Sequence, residues 1–507
     1  MQLLFASLLL TALYAVFLLN STWGLGFFII NGAFILCVLF LRPDILKNKQ
    51  AIFYLGASFL LSIFMVLRSF ELGRFITVGT IFLLNSLAVR LDNKVKESLT
   101  LKELYKAPLT ILSHVFLELG YWFAWIKHRI KNQNTTVITP LPRSSIVRGI
   151  IISLPIASLF LFLFAQADPL FEKYLLQLIP KNISIDVLLV KNICELGFFF
   201  GLFSSLFRAQ AIRQEVTKQK PVTTQHELTV ATIIIAVVIA SFLLVQAQYL
   251  FANQDLLKTQ GIMYSEYTRR GFFELIIVSA ISLCLIAFFL RSKMTKTTKI
   301  IATIFILEVL LVLASASRRV YLYQDIHGFT QTRLLGILFS IWLTGVLSLF
   351  LTRLYKNLSE NKLFFAIFIH TIGVIFLMHI INIDYTVAVT KPPNLGYGID
   401  YPYIAHLSSD AAPGWENTLA AFETADPCSS IYRIDPALRD WQQKAVELNK
   451  KNETGWHNGG AFILSDTQAL EFLKKNAVRI EQLQTKSLAE WRNCHLQQAT
   501  PSSVPIR

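Results

Sequence analysis

The chain has 507 residues, of which 54% are hydrophobic and 16% charged, with mean hydropathy +0.52 and formal net charge +15. That apolar load excludes a disordered chain and argues against a soluble enzyme. The positive charge does not point to nucleic acid: residues 382–507 hold 12 Lys/Arg against 14 Asp/Glu, leaving 35 against 18 to the apolar stretch before them.

Met1-Gln2-Leu3-Leu4 lacks the basic n-region of a signal peptide, and no small-residue cleavage site follows, so residues 3–20 are expected to be a retained first helix. Crossing a bilayer takes about 20 apolar residues. Segments of that kind fall at about 3–20, 23–41, 51–67, 71–89, 148–166, 187–207, 228–250, 271–290, 300–317, 333–352 and 363–381, eleven in all. The expected fold is all-α: a polytopic transmembrane domain over 1–381, then a small, mainly helical extracytoplasmic domain over 382–507. A twelfth apolar segment, 108–126, carries His114 and Glu118 and ends in Tyr121, Trp122 and Trp125 beside Lys127, His128 and Arg129, as an in-plane or re-entrant helix would.

Orientation follows the Lys/Arg content of the links. With a cytoplasmic N-terminus and 108–126 not crossing, inside links carry 24 Lys/Arg and outside links 10; if 108–126 crosses, the split becomes 16 against 18. The first arrangement fits the bias. It places the C-terminal domain outside the cytoplasm of a bacterial inner membrane, with membrane lipids as partners and an envelope protein as a candidate partner of that domain.

Within 382–507, Pro392-Pro393 and Gly396/Gly398 mark a linker. Helices are expected near 411–425 with Asp410 as cap, through Pro436–Asn449, and over Asp466–Gln497. Of five cysteines, Cys37, Cys194 and Cys284 lie in spans, where they act as small apolar residues. Cys428 and Cys494 lie in the tail, where an oxidising compartment permits a disulfide; two buried thiols are the alternative.

Phosphate-loop, dinucleotide, nucleophile-elbow, H-E-x-x-H and C-x-x-C signatures do not occur. His370 and His379 share a span but sit on opposite faces, which makes them poor joint ligands. No catalytic residue, metal site or cofactor is therefore assigned, and enzymatic activity stays open. What remains is unusual placement of charge. Glu308 lies mid-span, and Lys191 and Glu195 lie four apart on another span; each marks either a pathway or a packing contact. At the outer ends of two spans, Tyr264, Tyr267, Arg269, Arg270 and Glu274 precede a second cluster of Arg318, Arg319, Tyr321, Tyr323 and Arg333. Arginine there suits anion or partner binding, with interfacial anchoring as the alternative.

The run Tyr264-Ser265-Glu266-Tyr267-Thr268-Arg269-Arg270-Gly271-Phe272-Phe273-Glu274-Leu275 resembles a motif of an uncharacterised bacterial membrane family, domain of unknown function 4173. So do the Ser317-Arg318-Arg319-x-Tyr321-x-Tyr323 run with Gly328-Phe329-Thr330 and Arg333, Asn382-Ile383-Asp384, and the stretch from Asp400-Tyr401 to Leu407-Ser408-Ser409-Asp410-Ala411-Ala412-Pro413. The resemblance covers about 227–415, with a family-like core over 227–381. It implies a multi-pass bacterial membrane protein and supplies no activity. The reading that follows is a non-catalytic sensor or scaffold. The alternative is a transporter or lipid- or anion-handling protein that uses Glu308 and the Arg/Tyr rim. A membrane glycosyltransferase fits poorly, because the first external loop is essentially Ser21-Thr22.

Overall fold

The computed structural model describes residues 23–90, 142–168, 225–247, 272–290, 295–356, 358–396, 398–453 and 460–499, with isolated positions before residue 18 and between 171 and 175. The described residues are helical, with one isolated bridge, Asn394 to Ile399. Six of their helices are long and apolar enough to cross a membrane, and Leu25–Leu41 and Ile156–Ala167 are shorter apolar helices. Segments 108–126 and 187–207 lie outside the described residues, as does most of 3–20. The chain divides into two units. One holds Met1–Leu99, Gln324–Leu338 and Thr371–Arg507, the other Thr100–Tyr323 and Phe339–His370.

In the first unit, α1 (Leu25–Leu41), α2 (Lys49–Leu67) and α3 (Glu71–Arg90) pack in sequence order. Asn48 begins α2 by accepting from Gln50 and Ala51 N–H, which answers two of the donors a helix start leaves open. Among apolar neighbours the three helices are pinned by a cluster of three hydrogen bonds. Asn31 Nδ2 donates to Ser58 O (3.2 Å), Ser58 Oγ to Asn31 Oδ1 (3.2 Å) and Asn85 Nδ2 to the same Oδ1 (2.7 Å). Lipid offers no hydrophobic force between helices, so such bonds and close packing fix their register.

The end of α9 (Glu360–Ile381) meets α2 through Phe64, which stacks on His379 and meets Phe376 edge-on. Asn382 then takes a left-handed conformation (φ 50) and starts α10 (Ile383–Val389), its side chain accepting from Tyr385 N–H. After α11 (Tyr401–His406) and a 3₁₀ turn over Ser409–Gly414 come α12 (Trp415–Thr424), α13 (Pro427–Glu453), α14 (Leu464–Lys475) and α15 (Ala477–Ala499). Trp415 and Trp441 are fully buried and meet Phe422 and Phe472 in an aromatic core. Pro402 falls in the first turn of α11, where its missing N–H costs nothing.

Two tail expectations change. The helix expected over 466–497 is two helices, broken at Asn476, whose side chain donates to Phe472 O and competes with continued helix. The segment near 411–425 begins as a 3₁₀ turn capped by Ser408 rather than Asp410. Asp410 is turned elsewhere.

In the second unit, α4 (Pro142–Ala167) packs on α5 (Gln225–Ala247), with α6 (Phe272–Phe289) against both. Phe164 stacks on Phe242 at 3.9 Å, and Phe160 and Phe171 complete the cluster. Parts of α7 (Lys296–His327), α8 (Gln331–Lys356) and α9 also belong here. Gly345 gives His370 room against α8: a Cβ there would stand 2.1 Å from His370 Nε2, so the ring would have to move.

Candidate functional site: a buried polar junction at the C-terminal helices

The α2–α3 turn, Arg68-Ser69-Phe70, sits at the end of the first unit where α9 finishes. Ser69 N–H donates to Asp410 Oδ1 (3.0 Å) and Phe70 N–H to Oδ2 (3.2 Å). Ser69 Oγ returns the favour by accepting Asp410 N–H at 3.1 Å. Asp410 thus caps the start of α3 from more than 300 residues away, a position where negative charge is favoured. Its side chain is 2% exposed. Burial pushes its carboxyl above the ordinary carboxylate range, while the bonds from Ser69 and Phe70 and the charge of Arg68 pull the other way.

A second carboxylate lies alongside. Asp384, fully buried, accepts from Gln331 Nε2 (2.7 Å) and from Ser408 N–H (2.9 Å). Gln331 N–H in turn donates to the Tyr403 hydroxyl at 2.9 Å. Asn382 Nδ2 donates to Asp410 O (3.3 Å), closing a ring between Asn382-Ile383-Asp384 and Ser408-Ser409-Asp410. Arg68 Nε donates to His379 O (3.2 Å), and His379 Nε2 lies 2.6 Å from Thr77 Oγ1. From α13, Lys444 donates to the carbonyls of Ala405 and Leu407 and sits 5.2 Å from the Trp415 ring. Burial holds its ammonium below the ordinary lysine value.

Chemically this junction is a lock. Both carboxylates accept from N–H donors. Among the described residues no group of three or more His, Cys, Asp or Glu is placed to hold a metal.

The residues singled out in the sequence are placed differently. Tyr264, Tyr267, Arg269, Arg270, Lys191 and Glu195 lie outside the described residues. Glu274 is half-buried in the first turn of α6. Arg318 and Tyr321 are exposed on α7, whereas Arg319 is fully buried: it pairs with the buried Asp168 carboxylate and donates to Ala167 O at 2.6 Å. Arg319 therefore holds the end of α4 instead of facing solvent. Arg333 donates to Gly328 O (3.0 Å), and Tyr323 is half-buried. Seven residues before Ser315, Glu308 shares its face of α7; Ser315 donates to Gln246 (2.8 Å). Glu308 Oε2 is buried without a hydrogen-bond partner among the described residues. Cys428 is disulfide-bonded; the side chain of Cys494 lies outside the described residues.

The sequence reading missed the junction, although Asn382-Ile383-Asp384 and Leu407-Ser408-Ser409-Asp410 both stood in its motifs. A family model supplies the remaining link: Domain of unknown function (DUF4153) matches residues 55–417. The chain belongs to the DUF4153 family. The motif-based resemblance pointed to domain of unknown function 4173, which is not the family this match identifies. Neither a curated protein nor a solved structure matches the chain. The DUF4153 match runs from α2 to the start of α12, so it spans Ser69, His379, Asp384 and Asp410 and stops before α13–α15. Together with its apolar helices it makes this an integral membrane protein of unknown activity.

Proposed function

We propose that this protein is a non-catalytic sensor or scaffold of the bacterial cell envelope, in which the C-terminal helical domain meets a partner and passes the event to the membrane helices. The reciprocal lock between Asp410 and Ser69 carries this reading. It makes the 382–499 region and the α1–α3 helices a single body, so force or occupancy on the domain reaches the α2–α3 turn directly.

The domain is extracytoplasmic in this reading. Within the first unit, the link Arg42–Lys49, with Arg42, Lys47 and Lys49, lies at the opposite end of α2 from the domain, as a cytoplasmic link should. The disulfide at Cys428 suits an oxidising compartment. Its natural partner is Cys494. Gln442 bonds Gln484 and Gln484 bonds Asp435, while Tyr432 meets Trp491. This antiparallel register of α13 on α15, carried one turn further, sets position 428 against 494.

Photo-crosslinking in intact cells tests the proposal, with the probe at Val446 or Val478, both about two thirds exposed. Discrete adducts that change when Asp410 is replaced by Ala, in a chain still inserted and folded, support it. Adducts that ignore the substitution sink it.

A second reading, transport or anion handling, draws on Glu308, whose buried oxygen has no partner among the described residues and lies in line with Ser315 and the Arg319–Asp168 pair. Unchanged flux in vesicles carrying Glu308→Gln would remove it.

A further inference from the structure

The loop between α13 and α14 is bound to the first residues of α1. Gly24 N–H donates to Gly460 O at 3.2 Å and Leu25 N–H to Phe462 O at 3.0 Å. These are donors a helix start leaves open, and here the C-terminal domain supplies their acceptors. The approach is too close for a side chain: a Cβ on Gly24 would stand 2.3 Å from Phe462 O. The helix so capped, Leu25–Leu41, contains no charged residue.

The last residues of that loop and the first of α14 read Gly460-Ala461-Phe462-Ile463-Leu464, again without charge. Ile463 points inward at 1% exposure, whereas Phe462 and Leu464 stand 40% and 39% exposed. An isolated exposed apolar residue needs no explanation, but a continuous patch does. Further exposed apolar residues stand at the same end of the unit: Trp23 (37%), next to Gly24; Phe75 (78%), next to Arg74, whose side chain donates to Trp23 O; and Ile380 (66%), near the end of α9. The level is set independently by α2, a helix long and apolar enough to span, which ends at Leu67 beside Arg68.

We propose that residues 460–464 are a membrane-docking element of the C-terminal domain, with Phe462 and Leu464 seated in lipid at the boundary between acyl chains and headgroups. Lipid is the occupant because the loop is fixed to the start of an apolar, uncharged helix at the end of the unit where α2, a helix long and apolar enough to span, also finishes. An aromatic residue and an arginine at the same level, Trp23 and Arg68, are the usual company of that boundary. A protein partner would have to reach a patch edged by bilayer. The inference does not depend on the sensor reading, since a domain without any partner would dock in the same way.

The test uses the full chain in nanodiscs of phosphatidylglycerol and phosphatidylcholine, spin-labelled at Phe462→Cys or Leu464→Cys. Val446→Cys and Val478→Cys serve as references on α13 and α15. Collisions with oxygen, which concentrates in lipid, are compared with collisions with a water-soluble nickel chelate. Labels at 462 and 464 should favour oxygen several-fold more than the references do. Nickel access equal to that at Val446 would overturn the proposal. So would a label shielded from both reagents, the mark of a protein or a second copy on the patch. The two labelled positions are independent, so a disturbed fold at one leaves the other to decide.

Discussion

Ser69 and Asp410 bind each other twice, backbone to side chain in both directions, across 341 positions of sequence. The pairing is reciprocal in the manner of a capping box, but its halves come from the α2–α3 turn and from the 3₁₀ turn over Ser409–Gly414. Replacing Asp410 by Ala leaves the Ser69 and Phe70 N–H groups buried without an acceptor. The expected loss is about 2–4 kcal/mol, read as a lower unfolding temperature in detergent and faster proteolysis of the tail. Ser69→Ala removes one acceptor and should cost about 1 kcal/mol. Because both changes break the same contact, the double variant should lose less than the two losses added.

The same carboxyl gives stability a pH dependence of known sign. Asp410 is raised by burial, so the folded chain holds its proton to higher pH than the unfolded chain does. That contribution is complete below the unfolded value and lost as pH rises through the raised one. Unfolding temperatures across the acid range should therefore fall with rising pH more steeply in the wild type than in Asp410→Asn. Parallel curves would show that Asp410 does not titrate in this way.

Gly328 sits at φ +75 where the chain leaves α7, and a Cβ there would stand 2.2 Å from Pro392 O. Phe329 N–H donates to Lys391 O and Asn394 N–H to His327 O at the same place. Gly328→Ala should strain the backbone by about 1–2 kcal/mol and push away the 391–394 segment. Hydrogen exchange at Phe329 and Asn394 should rise selectively. Unaltered protection would show that the turn absorbs the methyl group.

The Arg319–Asp168 pair is buried on both sides. Removing one partner strands the other, so Arg319→Met or Asp168→Asn should cost about 3–5 kcal/mol, while exchanging both for apolar residues should recover most of it. A double variant no better than the singles would mean that the charges do more than neutralise each other.

The helices were legible because lipid leaves a chain few choices, and long apolar runs such as 228–250 and 333–352 appear as α5 and α8 nearly end to end. The junction was not legible, for a physical reason. Charge placed near span ends reads as surface, yet Arg319 is buried because Asp168, 151 positions earlier, is there to receive it. Asp410 likewise looked like a local helix cap. Ser408 takes that role, and Asp410 caps α3, which no local pattern announces. The break at Asn476 lay inside an apolar periodicity that runs on from Leu473 to Ile480, so spacing alone joined two helices.

The register of α13 on α15 makes the last expectation concrete. If Cys428 and Cys494 are bridged, non-reducing digestion should yield one cross-linked peptide pair holding both, and neither thiol should take up maleimide before reduction. After reduction, a membrane-impermeant maleimide added to intact cells should label both, because Cys428 is exposed and the proposed orientation turns this region outward. Labelling only after the membrane is opened would place the domain in the cytoplasm, and the envelope reading would fall with it. A closed covalent loop through α14 would also hold the 460–464 segment against the start of α1. Reduction should therefore loosen hydrogen exchange at Gly24 and Leu25 before it loosens the Ser69–Asp410 lock, which lies outside that loop.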